Sequence, residues 1–383
     1  MVIVIEKGEV FTPAPIGSAD LLLMRDCVEK VGAVDREALA RLDLETEFID
    51  ATDCFVVPGL IDPHEHLLGG SGENGFKSQT PELHLSEIVS AGITTVVGCL
   101  GVDTTMKTLP GLLARAKALK EEGLSASIWS GGYNVPPTTI TNSIRNDIMF
   151  IEEVIGAGEI AIADERSTDP TVQELARVVN DAYVGGMLSS KAGVAHFHVG
   201  DGKARLKLLR QLIDEFHTPP ETIYPTHIER SEKLMDEAIE LTRRGCFVDI
   251  DTVNEDLQKW VTYYFDHDGD PAQLTVSSDA SISSPSNILN QIRACVQDSA
   301  LDLEQLLPLV TENTARALKL DNQGKLEPGM LANALVLDRK TLELKEVIAQ
   351  GRRMVKDGKV VAEEAFIEDS NRSIHLVGKE AQD

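Results

Sequence analysis

The chain of 383 residues carries 62 acidic against 36 basic side chains, a formal charge of −26. That balance excludes a nucleic-acid-binding role, which needs a basic surface. A hydrophobic share of 42% fits a soluble globular protein, and no run approaches the roughly 20 apolar residues of a membrane-spanning helix. Cys27, Cys54, Cys99, Cys246 and Cys295 form neither a CxxC pair nor a disulfide framework, and the start lacks a basic leader with a cleavage site. A reducing, cytoplasmic home is expected.

Residues 1–54 read as short strands and turns, with Val2-Ile-Val-Ile and Ala19-Asp-Leu-Leu-Leu-Met as the strand-like pieces. The apolar run at 55–61 reads as a strand buried on both faces. It is followed by His64-Glu-His66. Two imidazoles two residues apart on an extended segment point to one side, a geometry that suits two nitrogen ligands on one metal ion.

Further strand-like runs lie at 94–100, 126–131, 160–164, 194–199, 222–227, 247–251 and 274–278. Helical periodicity appears between several of them, most clearly at 109–122 and 231–244. Eight strands alternating with helices or long loops predict an α/β chain folded as a (β/α)8 TIM-like barrel over residues 55–324. The tail from 325 to 383 returns to short strands and turns. The two ends, 1–54 and 325–383, are expected to join in one small β-sandwich domain.

The active site of such a barrel sits at the carboxyl ends of its strands, and ligand-type side chains gather there. The first strand leads to His64 and His66, the fifth to His196-Phe-His198, the sixth to His227 and the eighth to Asp279. The fourth has Glu159 near its start and Asp164-Glu-Arg166 after it. One histidine is more often structural than a ligand, but four with an Asp at successive strand ends point to a metal centre.

Here the chain resembles the isoaspartyl dipeptidases (β-aspartyl peptidases) of the metal-dependent amidohydrolase superfamily, over nearly its whole length. The matching stretches begin with Pro58-Gly-Leu-Ile-Asp-Pro-His-Glu-His66, Gly69-Gly-Ser-Gly-Glu-Asn-Gly75 and Gly132-Tyr-Asn-Val-Pro136. They continue with Asp164-Glu-Arg-Ser167, Phe197-His-Val-Gly-Asp201, Pro225-Thr-His-Ile-Glu-Arg230 and Ser277-Ser-Asp-Ala-Ser-Ile-Ser283. The His-x-His element alone marks only the superfamily; the glycine-rich turn with its Glu, the Tyr and the two Arg are more specific.

The resemblance implies that His64, His66, His198, His227 and Asp279 surround two divalent metal ions per subunit, zinc first among the candidates. It implies a metal-activated hydroxide with Asp279 as general base and acid, and Tyr133 stabilising the carbonyl oxygen. Glu73 would take the substrate's free α-amino group, and Arg166, Arg230 and Ser283 its carboxylates. The implied reaction is hydrolysis of β-aspartyl dipeptides to aspartate and an amino acid. A small dipeptide is then the partner, with no nucleic acid or membrane, in a homo-oligomer with an octamer among its forms.

Family members usually carry a carbamylated lysine on the fourth strand. Here Glu159 takes that place, so no modified lysine is expected, and a carboxylate offers the same bidentate bridge. Val102 replaces a hydroxyl residue and Glu165 a histidine, which bears on specificity. Blander roles stand beside these: Glu73 solvated in its loop, Tyr133 packing at a strand end, Arg166 paired with Asp164 and Arg230 with Glu229. His196 shares the face of His198, but the following Val-Gly-Asp favours His198 as the ligand. His84, His217, His267 and His375 match no motif. The rival functions are another amidohydrolase activity, N-acyl amino acid deacylation or base deamination, and a non-catalytic scaffold. The retained ligands disfavour the scaffold.

Overall fold

In the computed structural model, which describes residues 2–70, 73–254, 256–298 and 301–365, the apolar run at 55–61 is divided between two sheets. Strands β1 (Val2–Phe11), β2 (Pro15–Met24), β3 (Cys27–Val31), β4 (Thr46–Asp50) and β5 (Cys54–Pro58) come first. β5 pairs with β1, so the barrel begins only at β6 (Leu60–Glu65). Gly59 makes the break, because a Cβ there would overlap the Thr94 side chain. The run reads as one strand in sequence because both pieces are apolar and nearly all buried.

Seven parallel strands follow: β7 (Ile93–Gly98), β8 (Ser125–Ser130), β9 (Val154–Ile162), β10 (Val194–Val199), β11 (Ile223–Thr226), β12 (Val248–Asp251) and β13 (Leu274–Ser277). β6 to β11 are hydrogen-bonded in chain order, and β12 pairs with β13. β11 packs beside β12 and β13 beside β6, and a parallel bridge between Glu65 and Ala280 spans the last gap. The expected (β/α)8 arrangement results. Where the ladder is interrupted, Asp249 of β12 accepts hydrogen bonds from Thr226 of β11 (2.7 Å) and from Thr275 and Ser277 of β13 (2.6 Å each).

The helices start and stop where capping chemistry dictates. Helix Leu109–Glu122 begins at Thr108, whose side chain accepts from Gly111 N, and ends at left-handed Gly123. Its buried face is Leu109, Leu112, Ala116 and Leu119. Helix Glu232–Thr242 begins at Ser231, which caps Leu234 N.

β9 is longer than its sequence indicates, starting at Val154, so Glu159 lies inside the strand and not before it. Gly156 and Gly158 disguise that beginning. Ala157 pairs with Ala195 and Ile160 with Phe197, which leaves one extra residue on β9, a bulge at Gly158–Glu159. A Cβ on Gly158 would sit 2.8 Å from His196 Cβ and 2.9 Å from its carbonyl oxygen, so the two backbones meet here only because the position is glycine.

At the other end of the chain, β14 (Ala334–Asp338), β15 (Leu344–Ala349), β16 (Arg352–Lys356) and β17 (Lys359–Val360) join the first five strands. The nine-stranded sheet runs β17-β16-β15-β14-β5-β1-β2-β3, with β4 also against β1. Ile3, Ile5, Leu21 and Leu23 share one core with Ala334, Val336 and Ile348, so the two ends of the chain join in one sheet with a common core. Residues 366–383 of the expected C-terminal part lie outside the described residues. No helix among the described residues is long and apolar enough to cross a membrane.

Candidate active site

Alternation along β6 puts His64 and His66 on one side of the chain, with ring centroids 5.3 Å apart. The bulge on β9 presents Glu159 to both. Glu159 Oε1 lies 3.6 Å from His66 Nε2. Its Oε2 lies 3.5 Å from His64 Nε2, 3.2 Å from His198 Nδ1 and 3.8 Å from His227 Nε2. One buried carboxylate therefore faces all four predicted imidazoles. Asp279, following β13, places Oδ1 3.3 Å from His64 Nε2 and 3.1 Å from His66 Nε2.

His64 Nε2, His227 Nε2 and Glu159 Oε1 are buried without a hydrogen-bond partner among the described residues. Each such orphan costs roughly 1–3 kcal/mol. Three overlapping sets of ligand atoms, His64–His66–Cys99–Glu159, Glu159–His198–His227 and His227–Asp251–Asp279, are each compact enough to hold an ion, and the first two share Glu159. Convergent imidazole nitrogens and carboxylate oxygens, three of them without a hydrogen-bond partner among the described residues, fit a divalent metal centre.

The remote ring nitrogens are fixed by partners that the sequence did not identify. Asp251 Oδ2 is 2.6 Å from His227 Nδ1, and Asp164 Oδ2 is 3.0 Å from His198 Nε2. A carboxylate only accepts, so His227 Nδ1 carries the proton and its Nε2 faces Glu159, whereas His198 stands between two carboxylates, Asp164 at Nε2 and Glu159 at Nδ1. Cys99 Sγ lies 3.6 Å from His66 Nδ1. Asp251 ends a strand-like run, and that position is the only signal it carries in sequence.

Electrostatics follow from this crowding. Burial by itself would raise the Glu159 pKa, but the imidazoles of His64, His198 and His227 outweigh it and hold the carboxyl well below its ordinary range. Burial lowers His227, yet the hydrogen bond to Asp251 and the nearby Glu159 carboxylate bring it up to about 9. For Tyr133, burial and then the Glu159 charge push the phenol well above its usual value, so it stays protonated as a donor.

Glu73, Tyr133, Arg166, Arg230, Asp279 and Ser283 line one cavity of about 320 Å³, with His66 and His198 beneath them. That volume is at the small end of ligand pockets, roughly 300–1,000 Å³. Tyr133 OH lies 2.8 Å from His198 Nδ1. Arg166 forks onto Asp164 with two 2.8 Å bonds and reaches Glu73 Oε1 at 2.7 Å, so its bland pairing and its place in the cavity coexist. Arg230 faces Asp201 at 3.8 Å rather than Glu229, which is buried and raised well above the usual carboxyl range by burial and by Asp251. Ser283 Oγ donates within its own loop to Asp279 O at 3.3 Å. In the glycine-rich turn, residues 71 and 72 lie outside the described residues.

A larger cavity of about 620 Å³ adjoins on the outside and shares Glu73, Val102 and Arg166; Glu165 lines it. It contains none of the metal-type ligands, so the chemistry belongs to the smaller one. His196 lies behind His64 and outside the 320 Å³ cavity, while His198 reaches that cavity, as its sequence context favours. His84 pairs loosely with Glu364 and His267 stacks on Tyr263, and His375 lies outside the described residues.

A closed parallel barrel with imidazoles and carboxylates at its strand ends defines a metal-dependent hydrolase class. The amidohydrolase family matches residues 55–362. The β-aspartyl dipeptidase of Fervidobacterium islandicum AW-1 is similar at 38% identity with a TM-score of 0.91, over 95% of this chain and 100% of that one. The same organism's enzyme in complex with the β-Asp-Leu dipeptide gives 37% and 0.90, over 95% and 99%. Adenine deaminase 1 of Latilactobacillus sakei subsp. sakei is 22% identical over 86% of this chain. The chain spans about half the length of the curated relatives it matches, 54% in that case. The chain belongs to the amidohydrolase family and, within it, to the β-aspartyl (isoaspartyl) dipeptidases.

Proposed function

We propose that the protein hydrolyses β-aspartyl dipeptides to aspartate and a free amino acid, and that it clears isomerised aspartyl peptides left by protein damage. The observation that carries this reading is the single 320 Å³ cavity. It sets an anion, a phenol and two guanidinium groups over a cluster of four imidazoles, Glu159 and Asp279. A purine needs none of those charged partners, which weighs against base deamination.

His64, His66, His198, His227, Glu159 and Asp279 would hold two divalent ions, zinc by the chemistry of the donors, with Glu159 bridging as an unmodified carboxylate. When bound, such ions acidify water and polarise a carbonyl. Asp279 faces the cavity beside His66 and is placed to take a proton from the attacking water and return it to the leaving amine. Tyr133, held as a neutral phenol, donates to the carbonyl oxygen as charge develops there. Glu73 and Arg166 satisfy one another at 2.7 Å without substrate. A zwitterion brings an ammonium for Glu73 and a carboxylate for Arg166, so entry exchanges one ion pair for two. Arg230 and Ser283 supply the remaining carboxylate contacts. A homo-oligomer, with an octamer to be tested by light scattering, and a cytoplasmic location complete the proposal.

The direct test is cleavage of β-Asp-Leu beside α-Asp-Leu and adenine, with metal analysis of the same sample. We expect release of aspartate from the β-linked peptide and two metals per chain without added CO2. Turnover of the α-peptide or adenine alone would overturn the substrate, and full activity with one metal would overturn the Glu159 bridge.

A further inference from the structure

The reaction proposed above leaves His196 without a task, although its sequence position makes it a rival to His198. Its ring is wholly buried behind His64. His196 Nε2 lies 2.9 Å from His64 Nδ1, and its Nδ1 lies 3.0 Å from the carbonyl oxygen of Tyr224. The Trp129 indole stacks on it at 5.1 Å with 17° between the planes, and Trp129 Nε1 donates to the carbonyl of Pro63, the residue before His64, at 3.0 Å. The ring is thus fixed by a carbonyl, an aromatic face and a second imidazole.

The hydrogen positions follow from these partners. A carbonyl oxygen only accepts, so His196 Nδ1 carries the proton. In the neutral ring Nε2 is then an acceptor, and His64 Nδ1 donates to it. His64 is left with the lone pair of Nε2 aimed at the space shared with Glu159 and Asp279, where that atom has no hydrogen-bond partner among the described residues. The opposite tautomer of His64 would set a lone pair against a lone pair at 2.9 Å.

We infer that His196 is a positioning residue that fixes the tautomer and ring orientation of His64, and through it one half of the metal centre. The inference rests on the metal-centre reading proposed above. His196 does for His64 what Asp251 does for His227, but without charge. A neutral partner suits this strand, on which Asp62 and Glu65 are already buried carboxyls with oxygens that lack a hydrogen-bond partner among the described residues; another buried anion would add to the cost of burial.

Two substitutions separate positioning from packing. His196→Phe keeps a ring against Trp129 but offers no acceptor, whereas His196→Gln packs less well but can accept from His64 and donate to Tyr224. Metal-free protein is titrated with Co2+ against a chelator, and the visible spectrum of the loaded protein is recorded. His196→Phe should lose about 10–100-fold in affinity for one of two ions with an altered cobalt spectrum, while His196→Gln should recover most of both, even if its metal-free form melts lower. Native affinity in His196→Phe, or equal losses in both variants, would overturn the inference. Nitrogen-15 histidine spectra of the intact wild-type protein give an answer even where a variant does not fold: His64 should be protonated at Nδ1 and metallated at Nε2, and metallation at Nδ1 overturns the proposal. A wild type that binds fewer than two ions shows instead that the underlying metal reading has failed.

Discussion

Tyr133 shows how much one atom is asked to do. Its hydroxyl is 2.8 Å from His198 Nδ1, and burial keeps it protonated. The phenol keeps its proton beside that ring, and the same proton can turn to a substrate carbonyl. Tyr133→Phe preserves the ring and removes the donor. The expected result is a fall in kcat of about 10²–10³-fold, the usual loss for one such donor. KM for β-Asp-Leu should change little and metal content should stay at the wild-type level. A loss of metal together with activity would reassign Tyr133 to holding His198. The motifs of the sequence led to Tyr133, to the four inward-facing histidines and to Asp279, because each ends or follows a strand-like run. They did not lead to Asp251, which also ends such a run. Its task depends on which strand stands next to His227 in the closed ring, and spacing along one chain does not contain that neighbour.

Among the elements, the strands differ in how readable they are. β10 matches its expected bounds, 194–199, because six buried residues follow one another without a glycine. β9 hides its first half behind Gly156 and Gly158, the residues that allow the bulge presenting Glu159. The run at 55–61 hides a change of sheet, since burial on both sides of Gly59 erases any alternation. The seam between β11 and β12 was equally hidden, because side chains hold it in place of a backbone ladder. Asp249 is fully buried, and the hydroxyls of Thr226, Thr275 and Ser277 converge on it. Asp249→Ala strands those hydroxyls in the barrel interior. With roughly 1–3 kcal/mol for each unsatisfied buried group and partial relaxation, a loss of about 2–4 kcal/mol is expected in equilibrium denaturation. A stability within 0.5 kcal/mol of wild type, the range of a neutral surface change, would mean that the strand contacts alone close the ring.

For the whole molecule, the metal centre links folding to pH. In metal-free protein the cluster takes protons in place of cations. Burial opposes this at His64, His66 and His227, but neighbouring groups raise all three, Cys99 foremost at His64 and His66 and Asp251 at His227; His227 reaches about 9. A histidine whose folded pKa lies above its unfolded value of about 6.5 stabilises the fold fully below that value. The contribution disappears as pH rises through the folded pKa. The metal-free protein should therefore lose stability between about pH 6.5 and 9. Metal binding requires the same nitrogens unprotonated, so affinity rises over that interval. The two trends have opposite signs, and the gain in Tm on adding Zn2+ should widen steadily from pH 6.5 to 9. Thermal unfolding of chelator-treated and Zn2+-loaded protein at half-unit steps measures it. A gain that stays constant or narrows would show that the imidazoles are already neutral in the metal-free fold, with Glu159 and Asp279 left to repel one another across an empty centre.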